Sequence, residues 1–394
     1  MRRLLSLVAF LATFACCIGA AQAGAVVNPQ YDATIPTDPQ AAMQLARDRV
    51  AGGDLNGAII GLATYVFAHP GQAAPERLLG DLYFRHGDLR KAENVYLHIL
   101  TYVPGDKETH SRLGSVYATE NRIDDAITEF NRSLPGTDSV NDLVQLHMRK
   151  GDFKQYERER EMIAREYPTD PEAQLELSQV YEATHRPQQA MLYVRRALDN
   201  DPTSIRAMNV LGLAYLDERN FPEAIRQFQE CLRRDPFDYP CEDNLGATYL
   251  ESGAYADASR VLNQAHTMAP ERSEALVNLG YLADVHGDWK RAVQFYVLAM
   301  TVYPYSPDAY IDLGYTYNMH GEYQLAQAAL IKGLAVAPLD GRLHFLLGDA
   351  YQHLGKEALA KAEFKTASSD YLNPDVQRMA QERVATLERI PQVP

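Results

Sequence analysis

Residues 205–238 read IRAMNVLGLAYLDERNFPEAIRQFQECLRRDPFD, and residues 239–272 read YPCEDNLGATYLESGAYADASRVLNQAHTMAPER. Set one beneath the other, the two blocks keep the same frame. A Leu-Gly pair is followed by an aromatic residue three past the Gly, an Ala twelve past it and a Pro twenty-four past it. These are Gly212, Tyr215, Ala224 and Pro236, then Gly246, Tyr249, Ala258 and Pro270. Downstream the frame runs through Gly280, Ala292 and Pro304, then Gly314, Tyr317, Ala326 and Pro338, then Gly348, Tyr351 and Ala360. From Gly212 to Gly348 every step is 34 residues. Upstream, Gly80, Tyr83, Ala92 and Pro104 fit, as do Gly114, Tyr117 and Ala126. A fixed period of this length marks stacked repeats, each unable to bury its apolar face alone.

Within a unit, apolar positions recur at three and four, which predicts two amphipathic helices of roughly 14 residues. The Gly and Ala mark where the two helices cross closely, because a larger side chain would force them apart. The Pro ends the second helix or opens the next. A short polar turn separates the helices at Gly87-Asp88, Gly151-Asp152, Gly287-Asp288 and Gly321-Glu322. There the Gly permits a left-handed helix end and the acid favours the next helix N-terminus.

This pattern resembles the tetratricopeptide repeat (TPR) family over roughly Pro39 to Asn373. The resemblance implies an all-α, right-handed helical-repeat solenoid of about ten helix-turn-helix units. Repeat starts fall near 39, 73, 107, 137, 171, 205, 239, 273, 307 and 341. The first repeat has Ala46 in the Gly position, and the fifth has Ser178. The third is cut short at Leu134-Pro135-Gly136, and the fourth carries Val144 and Tyr156 where Gly and Ala belong. Packing over 134–160 is therefore expected to be the least regular. Residues 374–390 carry Val376, Met379, Ala380, Val384 and Leu387 at helical spacing and read as a capping helix for the last repeat. Residues 24–38, with Pro29 and Pro36 and little periodicity, read as an extended leader.

The N-terminus has the form of an export signal. Arg2 and Arg3 precede an apolar run from Leu4 to Ile18, too short to span a bilayer comfortably, and Ala21-Gln22-Ala23 supplies small residues for cleavage after Ala23. Residues 1–23 are thus expected to be removed by the general secretory route, placing the mature chain in the periplasm or outside the cell. Thr13-Phe14-Ala15 lacks the aliphatic residue that precedes a lipid-modified cysteine, which disfavours an anchor at Cys16 or Cys17. No later segment is apolar for long enough to cross a membrane. The chain carries a formal charge of −14, two units more negative without Arg2 and Arg3. That balance disfavours nucleic acid, whose phosphates call for Lys and Arg.

No catalytic constellation stands out: there is no HExxH, phosphate loop, GxSxG or CxxC. Neither a cofactor nor a metal is expected. His86, His286 and His320 occupy one repeat position just before the turn Gly, where a helix C-terminus presents free carbonyls. Trp289 holds the slot filled elsewhere by Leu89, Phe153, Phe221 and Tyr323, so it is expected in the core. Two cysteines survive cleavage, Cys231 and Cys241. In the family geometry their positions face each other across the seam between repeats. An oxidising compartment favours a disulfide there, and two buried thiols are the alternative.

In this family ligands lie in the concave groove lined by the first helix of each repeat. Its inward positions are the second, fifth, sixth, ninth, twelfth and thirteenth. Repeats one to four offer five arginines there, including Arg77 and Arg112, against four acids. Repeats five to ten offer Arg206 and Arg342 against eleven acids: Glu172, Glu176, Glu182, Asp217, Asp243, Glu251, Glu274, Asp284, Asp308, Asp312 and Asp349. Tyr281, Tyr315 and Phe345 add apolar grip. Asn244 and Asn278, with Asp312 in the same slot, suit a clamp on peptide backbone, since an amide both donates and accepts. The expected function is a non-catalytic protein-binding scaffold of the bacterial cell envelope whose groove takes a basic or extended polar segment. Self-association, or a role as accessory subunit of a polysaccharide or secretion machine, is the alternative.

Overall fold

The computed structural model describes residues 36–135, 139–270, 272–370 and 373–389. The expected signal peptide and nearly all of the leader lie outside the described residues. Within them the chain is entirely helical, with 21 helices and no strand.

The helices come as ten consecutive pairs and a last single helix. The first three pairs are α1 (Pro39–Ala51) with α2 (Leu55–Ala68), α3 (Ala73–His86) with α4 (Leu89–Tyr102), and α5 (Lys107–Thr119) with α6 (Ile123–Ser133). The next three are α7 (Ser139–Lys150) with α8 (Phe153–Glu166), α9 (Pro171–Glu182) with α10 (Pro187–Asn200), and α11 (Ile205–Asp217) with α12 (Phe221–Arg234). Then come α13 (Tyr239–Glu251) with α14 (Tyr255–Met268), and α15 (Glu274–Val285) with α16 (Trp289–Val302). The last pairs are α17 (Pro307–Met319) with α18 (Tyr323–Val336), and α19 (Gly341–His353) with α20 (Glu357–Ala367). Helix α21 (Pro374–Arg389) closes the chain. The first helices begin within two residues of the repeat starts read from the 34-residue frame.

The chain divides into two compact units, Met1–Thr137 and Asp138–Pro394. The division falls at the shortened third repeat. The first unit holds α1 to α6 and the second α7 to α21.

The small residues act as the frame requires. A Cβ placed on Gly280 would lie 2.4 Å from the Tyr296 ring, and one on Gly246 would lie 2.4 Å from Leu262 Cδ2. Ala224, Ala258, Ala292 and Ala326 are wholly buried at the same crossing. In the fourth repeat Val144 and Tyr156 are both buried where the other pairs carry Gly and Ala, so these two helices cannot close in the same way. The turn after each first helix needs a left-handed residue. Gly87, Gly253, Gly287 and Gly321 supply it, while Asn121, His185 and Arg219 adopt it at φ 60°, 51° and 54° where the repeat lacks Gly.

At the C-terminus, Ala380 is wholly buried, and Val384 and Leu387 pack on the cluster of Leu343, Leu347 and Phe364. Met379 faces solvent, so the apolar stripe of α21 is narrower than its spacing suggests. Trp289 also departs from expectation. It is half-buried rather than in the core, and stacks on His320 of the next pair at 4.6 Å between ring centroids. Tyr323 stacks on His353 at 4.4 Å, and Tyr255 meets His286 edge-on at 5.3 Å. One aromatic–imidazole contact thus joins each of these pairs to the next. His286 Nδ1 also lies 2.7 Å from the Leu282 carbonyl oxygen, the helix-end role expected of it.

Candidate partner-binding groove

In the Asp138–Pro394 unit, the inward face of each first helix is built on the repeat register, so equivalent positions of neighbouring pairs meet. Asn244 Nδ2 donates to Asn209 Oδ1 of the preceding pair at 2.8 Å. Asn278 Nδ2 donates in the same way to Asp243, at 3.2 Å. The sixth position of one repeat therefore reaches the fifth of the repeat before it. One step further on, that register sets Asp312 against Val277, which offers no hydrogen bond. Asp312 is pushed up to about 7, by burial first, then by Asp308 and Asp284, with Arg342 opposing. Asp243 is pushed up to about 7 by burial and by Glu274. Glu182 is pushed up to about 7 by burial and by Asp217, and burial also raises Glu251.

Tyr281 and Tyr315 present 47% and 52% of their surface to solvent. Val285 and Met319, one helical turn further along the same two helices, are also exposed. These two were missed in the sequence because a lone Val or Met carries no polar signal. Exposure at a register position that faces the groove is what singles them out. A cleft of about 370 Å³ is lined by Arg219, Ala247, Glu251, Tyr255, Asn278 and Tyr281. A second, of about 200 Å³, is bordered by Glu182, Arg206, Asn209, Leu213, Asp238 and Pro240. Asn209, unremarkable in the sequence, belongs to both the amide relay and this cleft.

Three expected groove residues are engaged elsewhere. Asp284 accepts from Tyr296 Oη at 3.1 Å and from Thr316 Oγ1 at 2.5 Å, so its carboxylate ties helices together. Asp349 is 3.2 Å from Arg383 of α21 and is neutralised by the terminal helix. Phe345 is half-buried, 5.5 Å from the Phe364 ring, and serves the terminal core. Charge counting also overstated the field. Glu172 pairs with Arg206 at 3.0 Å, Glu176 with Arg160 at 2.8 Å and Asp308 with Arg342 at 3.1 Å. The inward acids outside such pairs are Asp243, Glu251, Asp312 and Glu182, each held above the ordinary carboxylate range, while Asp217 lies 3.5 Å from His185.

In the Met1–Thr137 unit two of the inward arginines are taken up by acids. Arg77 binds Asp106 at 2.5 Å and Glu108 at 2.6 Å, while Arg112 lies 3.3 Å from Asp81. These pairs join one repeat to the next.

Cys231 and Cys241 are both wholly buried, and their sulfurs sit at bonding distance across the seam between α12 and α13.

The sequence profile of the tetratricopeptide repeat matches residues 77–140, 141–205, 205–238, 244–307 and 311–370. The chain belongs to the tetratricopeptide repeat family. TPR units generally mediate protein–protein interaction, and no enzyme family is indicated for the chain. No curated protein matches this TPR chain. Among solved structures, the Cut9–Hcn1 hetero-tetramer of the APC/C is similar over 90% of this chain and 91% of its own, at 14% identity and a TM-score of 0.47. Yeast Tom70 is similar over 90% and 97%, at 13% identity and 0.47. A TPR protein from Parabacteroides merdae is similar over 67% and 93%, at 18% identity and 0.35. Among the described residues, no helix is long and apolar enough to cross a membrane.

Proposed function

We propose that the protein is a non-catalytic scaffold of the bacterial cell envelope, exported with its first 23 residues removed. In this reading the groove of α13, α15 and α17 holds an extended partner segment bearing basic or polar side chains. The observation that carries it is the exposed pair Tyr281 and Tyr315, flanked by Val285 and Met319 and set beside Asp243, Glu251 and Asp312. Apolar rings give contact area at low entropic cost, and carboxylates of one sign favour a cationic or amide-rich partner. The Asn244 and Asn278 amides lie along the same face and suit main-chain recognition.

The test uses protein beginning at residue 24 and a variant with Tyr281→Ala, Tyr315→Ala and Asp312→Asn as baits in envelope extract. A partner retained by the first and lost by the second supports the reading. Equal capture by both refutes the groove assignment. N-terminal sequencing of the chain secreted by cells checks cleavage after Ala23.

Self-association is the second reading. Val297, Leu298, Leu325, Ile331 and Leu359 are exposed on the second helices α16, α18 and α20. Apolar side chains in that number on neighbouring helices suit a protein contact. Sedimentation over a concentration series separates an assembling chain from a monomeric adaptor.

A further inference from the structure

The second helices carry a charge pattern that the groove does not use. On α12 and α14 the exposed arginines are neutralised within their own helix: Arg226 pairs with Glu223, Arg233 and Arg234 pair with Glu230, and Arg260 pairs with Asp257. The pattern then changes. Helices α16 and α18 contain no Asp or Glu. Lys290 and Arg291 of α16, Lys332 of α18 and Lys365 of α20 are exposed, and among the described residues none of the four has an ion-pair partner. The same three helices expose Val297, Leu298, Leu325, Ile331 and Leu359.

Cations and aliphatic groups share one face. Lys290 stands seven residues before Val297, Arg291 seven before Leu298, and Leu325 seven before Lys332, which is close to two full helical turns in each case. Lys356, at the N-cap of α20, donates to Gln327 Oε1 of α18 at 2.8 Å and ties the start of one helix to the other. The mixture decides what such a face suits. Protein interfaces are depleted in Lys, and their energetic centres are aromatic or Arg, with Leu and Val under-represented. Membrane-surface helices instead combine an apolar stripe with Lys and Arg, whose long stems carry the charge up to the headgroups. A two-fold contact with a second copy would set these unpaired cations against one another.

We propose that the exposed face of α16, α18 and α20 docks on an anionic lipid surface, with its aliphatic side chains at the acyl boundary and Lys290, Arg291, Lys332 and Lys365 on the headgroup phosphates. The formal charge of −14 acts only weakly against this contact. Surface charges are screened beyond about 8 Å in physiological salt, and the groove acids lie on the first helices. None of the groove residues belongs to this face, so lipid contact leaves the groove free for a partner.

The test sediments protein beginning at residue 24 with vesicles of equal phosphatidylglycerol and phosphatidylcholine, and with vesicles of phosphatidylcholine alone. The expected result is partition onto the anionic vesicles that falls as salt rises, and about tenfold less or weaker partition onto the neutral ones. Changing Lys290, Arg291, Lys332 and Lys365 together to Gln should weaken partition about a hundredfold or more, since each basic residue near such a surface contributes roughly fivefold. Leu325→Gln with Ile331→Gln should weaken it about tenfold. Arg226→Gln with Arg233→Gln, on α12, should change it less than about twofold. Every substituted side chain is exposed, so circular dichroism should show wild-type helicity throughout. Absence of partition onto the anionic vesicles overturns the proposal, as does partition that survives either the four-charge or the apolar variant. Lipid-free association that is lost in Leu325→Gln with Ile331→Gln would assign the face to a second copy and overturn it too.

Discussion

Gly280→Ala adds one methyl group at the point where α15 crosses α16. In solvent-exposed helix the change would stabilise, since Ala exceeds Gly in helix propensity by about 0.8–1.0 kcal/mol. Here the new Cβ would stand 2.4 Å from Tyr296 Cε1, 2.8 Å from Cδ1 and 2.9 Å from Cζ. Tyr296 cannot swing away cheaply. It is wholly buried and its hydroxyl donates to Asp284. Overpacking of this kind costs about 1–3 kcal/mol, and an approach of 2.4 Å to a fixed ring belongs in the upper part of that range, about 2–3 kcal/mol, so after the propensity gain a net loss of about 1–2 kcal/mol is expected. Gly105 provides the opposite control, because a Cβ there meets nothing within 4 Å and its φ is not in the left-handed region. Gly105→Ala should be neutral or slightly stabilising. The assay is amide hydrogen exchange, because stability in repeat arrays is a sum of local and nearest-neighbour contributions. Protection should fall in α15 and α16 and in the helices touching them. Unchanged protection in Gly280→Ala, or an equal loss in Gly105→Ala, would refute the crossing argument.

Three further outcomes follow from the same structure. Asp243, Asp312 and Glu182, each about 7 when folded, ionise over the neutral range. Affinity for a Lys- or Arg-rich peptide should therefore rise about tenfold from pH 6 to pH 8, read by calorimetry; a flat profile would remove these acids from the site. Because these folded values lie above the ordinary carboxylate range, their contribution to stability is full in acid, falls as pH rises from that range to about 7, and is level above it. Thermal melts of ligand-free protein should follow that direction. Replacing both cysteines by serine removes a bridge across a loop of 10 residues, expected to cost about 2–3 kcal/mol in urea unfolding; thiol titration of secreted protein under denaturant should find no free thiol. Deleting α21 uncovers Leu343 and Phe364 and should promote association, measured by light scattering.

The repeat frame was legible because Gly, Ala and Pro are each required by backbone geometry at one place in every unit. Gly246, Ala258 and Pro270 mean the same thing wherever they recur, and the 34-residue step carries that meaning along the chain. The groove was less legible. Its positions were read from the register, and Tyr281 and Tyr315 are exposed. However, whether an acid at such a position is available depends on what the next repeat presents. Asp349 is paired with Arg383 of a helix outside the repeat frame, and Asp284 was claimed by a hydroxyl on each side. Asn209 escaped notice because its role exists only through Asn244, 35 residues away.

The central claim is that the inner face of α13, α15 and α17 holds the partner. Photo-cross-linking in living cells tests it most directly, with a photoreactive phenylalanine analogue at Tyr315 and, separately, at Gln264 on the exposed face of α14. The account predicts a discrete adduct with another protein from position 315, lost when Asp312→Asn and Tyr281→Ala are added, and none from position 264. Adducts from position 264 alone, or equally from both, would contradict it.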